Sequence, residues 1–222
     1  MITFKALSAL LLYPSDELLA SLPEIMHALG TDCLIGDACL EGLHQLSAAL
    51  TRTDLIEAQE RYVELFDRGR ATSLHLFEHV HSESRDRGQA MVDLLGVYRR
   101  AGFDLVANEL PDYLPALLEY LSRIDLDDAL SMLQDCSHIL SALARELARR
   151  DSPYAAVFAA LLEIAGEAAS ADATQAEDPP LDDAWAEEPI LFGPGSQPCN
   201  AARSNVSVAQ LAHGASKTQG SR

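Results

Sequence analysis

"DACLEGLHQLSAALT", residues 37–51, places Leu40, Leu43, Leu46 and Leu50 three or four positions apart. Residues so spaced share one face of an α-helix. No alternating apolar–polar run bounded by turns competes with this pattern for a sheet. Working outward, the same period recurs on both sides. Residues 3–12 read as a short apolar helix stopped by Pro14, and Ser15 caps a helix running to about Leu29, with Asp16 and Glu17 at its positive end. Thr53 is expected to cap a helix that turns Leu55, Ala58, Tyr62, Leu65 and Phe66 inward.

"DRGRATS" at 67–73 is a break, with Gly69 giving a turn and Thr72 and Ser73 suited to capping. "SLHLFEHV" reads as a short helix. A longer one follows, with Met91, Leu94, Leu95 and Tyr98 on one face and Gly102 as its C-terminal glycine. "ELPDYLPALLEYLS" opens another helix, with Pro111 or Pro115 in its first turn. Residues 126–147 align Leu126, Leu130, Leu133, Leu140, Leu143 and Leu147 as one stripe. Ser152 and Pro153 then start a helix reaching about Ala169. The fold class is therefore all-α: a single helical-bundle-like domain over residues 1–170.

Composition agrees. Hydrophobic residues make up 48% of the 222, but aromatic residues only 6%, a Leu/Ala-rich balance that favours helix over sheet. After residue 170 the pattern gives way to Asp, Glu, Pro, Gly and Ser, so 171–222 reads as a disordered acidic tail. It holds one apolar island at 185–192, with Trp185, Ile190, Leu191 and Phe192. That island is either a segment packing loosely on its own domain or a short docking motif.

The formal net charge is −18, of which the tail carries −4 and the body −14. Such a surface repels nucleic-acid phosphates and anionic lipid, which excludes both as partners, and it suits a basic peptide. Cys33, Cys39, Cys136 and Cys199 form no C-x-x-C pair, so neither a zinc ribbon nor a disulfide framework is expected. The N-terminal "MITFKALSALLLYPSDE" has too short an apolar run, and no clear cleavage site, for a signal peptide. No stretch is long enough to span a bilayer. A cytoplasmic protein without direct membrane insertion is expected.

The densest chemistry lies in "FDRGRATSLHLFEHVHSESRDRG", residues 66–88. His75 and His79 share a helical face, with His81 and Glu83 just beyond, and zinc accepts such ligands. Yet Leu76 stands where H-E-x-x-H needs its general-base Glu, and the arginine flanks oppose a dication. Ser73, Ser82 and Ser84 lie near histidines without a G-x-S-x-G elbow. Cys136 and His138, two apart, point to different helix faces. No Gly-rich phosphate cradle is present. No metal, cofactor or catalytic activity is therefore expected. What remains is a pair of Asp/Arg clusters, Asp67, Arg68 and Arg70 against Arg85, Asp86 and Arg87. Arg forks match carboxylates two-pronged, so the clusters are expected to brace two helix junctions, with Asp67 against Arg87. The plainer reading stops at the brace; the favoured one adds an exposed charged rim beside an apolar groove suited to a peptide.

The stretch "YVELFDRGRATSLHLFEHVHSESRDRGQAMVDLL" (62–95), with "ELPDYLPALLEYLS" (109–122) and more faintly "DAWAEEPILF" (183–192), resembles the NarJ-type chaperones of respiratory nitrate reductase assembly. The resemblance implies an all-helical chaperone that catalyses nothing. It implies binding, in the cytoplasm, of the reductase's catalytic (alpha) subunit, mainly through that subunit's N-terminal segment. The apoenzyme would be held open for insertion of the molybdopterin guanine dinucleotide cofactor, with membrane docking delayed until loading. Molybdenum cofactor delivery proteins are further expected partners, and a generic helical adaptor with another client is the alternative. The client-binding or rim residues would be Tyr62, Phe66, Asp67, Arg68, Arg70, Phe77, Glu78, His79, Glu83, Arg85, Asp86, Arg87, Glu109 and Asp112. Two positions depart from the family pattern. Tyr113 stands in place of a His, and Ser82 stands in place of a Gly, either straining a positive-φ position or capping the next helix.

Overall fold

Leu43, Leu46 and Leu50 are buried on one face of a helix spanning Asp37–Arg52, as the spacing predicts, while Leu40 packs half-buried beside them. The computed structural model describes residues 1–80, 85–105 and 109–167, with the side chains of Arg85 and Asp86 outside that description. Within them the chain forms α1 (Ile2–Leu10), α2 (Asp16–Thr31), α3 (Asp37–Arg52), α4 (Leu55–Tyr62), a π-turn (Val63–Asp67) and a 3-10 turn (Arg70–Thr72). Then come α5 (Leu76–Val80), α6 (Arg85–Arg100), α7 (Leu114–Leu121), α8 (Leu126–Asp135), α9 (Ser137–Arg149) and α10 (Ala155–Ile164). The tail from residue 171, its apolar island and the boundary at 170 lie outside the described residues, as do His81, Ser82 and Glu83.

The helices pack as a sequence of neighbours: α7 on α1, α1 on α2, α2 on α3, α3 on α10 and α10 on α9. Helix α1 lies inside this order, with Phe4, Leu7 and Leu10 fully buried. Its polar groups are met: Ser8 Oγ donates to Pro115 O at 2.8 Å and Thr3 Oγ1 to Asp32 Oδ2 at 2.7 Å. A Cβ on Gly42 would come within 3.0 Å of Ala156 Cβ, so small residues set the close approach of α3 and α10. Ser15 caps α2 as expected, its Oγ accepting from Leu18 N at 3.2 Å. Among the described residues the β-like pairing is one antiparallel bridge, His75 to Tyr113. No helix there is long and apolar enough to cross a membrane.

Several local expectations are corrected. Asp54, not Thr53, caps α4, accepting from Ile56 N at 3.0 Å. Thr53 instead closes α3, its Oγ1 donating to Ala49 O at 2.8 Å. Gly69 takes φ −137°, extended backbone open to any residue, so it is not needed as a turn glycine. The helix in "SLHLFEHV" is confined to its last five residues, because 74–76 are engaged in the bridge. The leucine stripe over 126–147 is broken at Cys136 into α8 and α9, and Leu126 is exposed. The break is tied to the end of α10 by Gln134 Nε2 to Ala165 O at 3.0 Å and Ser137 Oγ to Glu167 Oε1 at 2.7 Å. Helix α10 starts at Ala155 and stops short of Ala169, because Gly166 turns left-handed at φ +78°.

Three helix ends close with the same paired hydrogen bonds. After α6, Gly102 N donates to Arg99 O and Phe103 N to Tyr98 O; after α10, Gly166 N to Glu163 O and Glu167 N to Leu162 O. After α9, Asp151 N donates to Ala148 O and Ser152 N to Leu147 O. The left-handed position is glycine in the first two and Asp151, φ +52°, in the third. An L residue other than glycine pays about 1 kcal/mol there. Asp151→Gly is therefore expected to stabilise the fold by up to ~1 kcal/mol, read as a raised urea midpoint.

Candidate functional site

The residues singled out at 62–88 and 109–112 are brought together by two structures of different kind. The first is a polar clasp around α5. Residues 74–76 pair with 112–114 through Leu114 N to Leu74 O at 2.9 Å and Leu76 N to Asp112 O at 3.0 Å. The Asp112 carboxylate, fully buried, then receives Phe77 N on Oδ2 at 3.1 Å and His75 Nδ1 on Oδ1 at 3.3 Å. It thus caps the first turn of α5 from across the bridge and holds a histidine beside it. The hydrogen bond to Asp112 raises the His75 pKa above 6.5, against a lowering by burial. Pro111 O accepts from the buried Tyr98 hydroxyl at 2.8 Å, which fastens the clasp to α6.

The other end of α5 converges on Glu78. Arg70 donates to its main-chain oxygen at 2.9 Å, and Arg87 to its carboxylate at 3.2 Å. Burial pushes the Glu78 carboxyl upward, but hydrogen bonds from Ser73 and Arg87 more than offset this, and it titrates low. His79 Nε2 lies 2.8 Å from Ser73 O, which only accepts, so that nitrogen carries a proton. Both described histidines of the stretch therefore face protein partners. Among the described residues no cluster of three or more metal-ligating side chains forms. The Asp/Arg brace exists, but its centre is Glu78. Asp67 is exposed and makes no ion pair with Arg87. The π-turn leaves Asp67 pointing out while Phe66 turns in.

The second structure is aromatic. Tyr62 and Phe66 pack with tilted rings at 4.9 Å between centroids, Tyr13 meets Tyr62 edge-on at 5.6 Å, and Tyr154 meets Phe66 edge-on at 5.1 Å. Tyr62 O–H donates to Leu11 O at 2.7 Å and lies 3.4 Å from the Tyr113 hydroxyl. The π-turn, closed by Arg68 N to Val63 O at 3.1 Å, widens the helix between Tyr62 and Phe66. Thr72 Oγ1 to Leu65 O fastens it.

The expected rim is thereby divided. Asp67, Arg68, Arg70 and Glu109 are exposed; Glu78, His79 and Arg87 are half-buried. Tyr62, Phe66, Phe77 and Asp112 are buried, and support the surface from beneath. Glu83 and the side chains of Arg85 and Asp86 lie outside the described residues. Cys136 is buried, and burial pushes its thiol to about 12, while His138 is exposed, so they make no dyad. Sequence reasoning missed the His75–Asp112 pair and Tyr113's place in the bridge, since the partners are 37 and 38 residues apart and share no local pattern. It also missed a cleft of about 420 Å³ bounded by α3, α4 and the α9–α10 corner, with Leu46, Leu50, Leu65 and Tyr154 in its wall.

Residues 35–160 match the family model described as nitrate reductase delta subunit. The chain is 43% identical over 201 residues to the nitrate reductase molybdenum cofactor assembly chaperone NarJ of Escherichia coli K12, covering 86% of this chain and 85% of that protein. It is 43% identical over 197 residues to the probable assembly chaperone NarW of the same strain, covering 85% and 82%. The probable NarJ of Bacillus subtilis is 34% identical over 164 residues, covering 72% and 86%.

Two outcomes test this geometry. His75 has a folded pKa raised above its unfolded value. Its pairing therefore contributes fully below pH 6.5 and is lost as pH rises through the folded pKa. His75→Gln should cost roughly 1 kcal/mol in mild acid and less in mild alkali, measured by urea unfolding at each pH. A double-mutant cycle on Glu78 and Arg87 should show a coupling of about 0.5 kcal/mol, whereas Asp67 and Arg87 should be additive.

Proposed function

Because the chain belongs to the nitrate reductase delta subunit family, we propose that it is a system-specific chaperone of respiratory nitrate reductase that keeps the enzyme competent for molybdenum cofactor insertion. One observation carries this: the 43% identity to a named assembly chaperone extends over 86% of the chain. It covers most of both chains, not a shared fragment. The protein is not an enzyme; the relatives that it matches over most of their length, NarJ and NarW, are named assembly chaperones.

The finer reading is that the client contact is the catalytic (alpha) subunit, chiefly its N-terminal segment, and that it is held in the cytoplasm before membrane docking. Cofactor delivery proteins would join at loading. Three features support this reading. The chain carries a net charge of −18, which attracts a basic peptide and not a phosphate backbone or anionic lipid. Exposed Asp67, Arg68, Arg70 and Glu109 offer charged groups over a rigid support. The clasp holds α5 from both ends, so a partner meets a preformed surface and little ordering cost.

Calorimetric titration of the client's N-terminal peptide into the full chain is expected to give one-to-one binding in the micromolar range, about −8 kcal/mol. Absence of heat at tens of micromolar protein, together with capture of a different major partner from cells lacking nitrate reductase, would reject the assignment in favour of a general adaptor.

A further inference from the structure

One corner of this acidic molecule holds cations that no carboxylate engages. The start of α1, the end of α7 and the turn after α6 enclose a cavity of about 330 Å³, with Ile2, Lys5, Phe103, Glu119, Ser122 and Arg123 in its wall. Elsewhere Arg61, Arg87, Arg149 and Arg150 are each paired with a glutamate. Lys5 and Arg123 are exposed, and among the described residues neither makes an ion pair. Glu119, also exposed, makes none either, so the cavity carries two cations against one anion. In a chain of net charge −18 that local excess runs against the trend.

The rest of the wall is apolar. Phe103 is half-buried and held edge-on by Tyr98 at 5.7 Å and Tyr120 at 5.9 Å, while Ile2 is 52% exposed. A fixed ring, an exposed aliphatic side chain and two free cations suit a flat apolar group with carboxylates close by. The chain itself carries that chemistry. Residues 182–188, "DDAWAEE", set Trp185 between Asp182 and Asp183 on one side and Glu187 and Glu188 on the other. From Asp172 to Glu188 there are seven acids and no base, so most of the acidic body repels this segment and the corner does not.

The length of chain allows the contact. Glu167 is fixed beside Ser137 at the start of α9. From there to Arg123, helix α8 covers roughly 15 Å, and the links at its two ends add at most about 10 Å each. Fifteen residues lead from Glu167 to Asp182, enough to span about 50 Å when extended. A tethered ligand acts at an effective concentration on the order of millimolar, so a weak contact suffices.

We infer that this corner is a docking site for the chain's own 182–188 segment, with Trp185 against Phe103 and Ile2 and its flanking carboxylates facing Lys5 and Arg123. The inference is independent of the client reading, which concerns a basic peptide.

Trp185 is the chain's one tryptophan and reports on its own position. In the full chain at low salt its emission is expected to lie to the blue of that of a free 180–192 peptide, with acrylamide quenching about threefold weaker. Protection should fall as salt is raised to about 1 M. Lys5→Glu combined with Arg123→Glu should bring quenching to the level of the free peptide, with circular dichroism and the thermal midpoint as in wild type. Asp182→Asn, Asp183→Asn, Glu187→Gln and Glu188→Gln together should do the same with α1 and α7 untouched, which decides the matter even where the first variant folds poorly. Wild-type Trp185 as open to quenching as the free peptide would overturn the inference. So would protection that survives the neutralisation of the four acids. Protection that appears only as the protein is concentrated, with dimers in sedimentation, would assign the corner to the segment of a second copy and reject docking within one chain.

Discussion

The buried carboxylate of Asp112 is the contact on which the central region depends. It has no exposure to solvent, and it receives a backbone N–H from one end of α5 and an imidazole from the strand-like segment before it. A carboxylate placed there without those partners would cost several kcal/mol, so the two segments are obliged to meet. Once they meet, the Leu74–Leu76 and Asp112–Leu114 hydrogen bonds set the register. A helix as short as α5 would not persist alone. It is held at its start by Asp112 and at its end by Arg70 and Arg87. Charged groups here serve geometry, and the hydrophobic core supplies most of the stability.

How much of this was legible follows from what each feature needs. Helices with an apolar stripe, such as α3 and α6, were readable because the cause of the helix lies within it. The Ser15 cap was readable for the same reason. The Thr53 and Asp54 exchange shows the limit, since two adjacent capping residues are both chemically able and only the chain path selects between them. The split at Cys136 was hidden because α8 and α9 continue one leucine period, and the bend is imposed by groups at the end of α10. The charged stretch was legible as a brace from its composition. Its centre was not, because Glu78 takes Arg70 from before it and Arg87 from after it.

The site also separates two kinds of residue that a motif presents as one. Phe66, Phe77 and Asp112 sit in the same sequence run as Asp67, Arg68 and Arg70, yet they are buried and these are exposed. A motif read as a binding signature is here partly a folding signature. The aromatic row passes from the half-exposed Tyr13 through Tyr62 and Phe66 to Tyr154. It connects the surface near α1 with the cleft wall, so packing at one reaches the other through a few rings.

The π-turn at Val63–Asp67 carries one residue more than an α-helical turn would hold. Removing any one residue from it would restore an unbroken α-helical ladder, and by local propensity alone that shortened chain would be the better helix. Arg68 N and Val63 O would then close an ordinary α-turn, so the chain beyond would keep its place while the side chains inside the turn were re-phased. Phe66 would swing away from Tyr62. The extra residue therefore acts as a phase-setting insertion. The region trades helical regularity for direction, and natural length variation between relatives should be tolerated in the loops on either side far more readily than within these five positions.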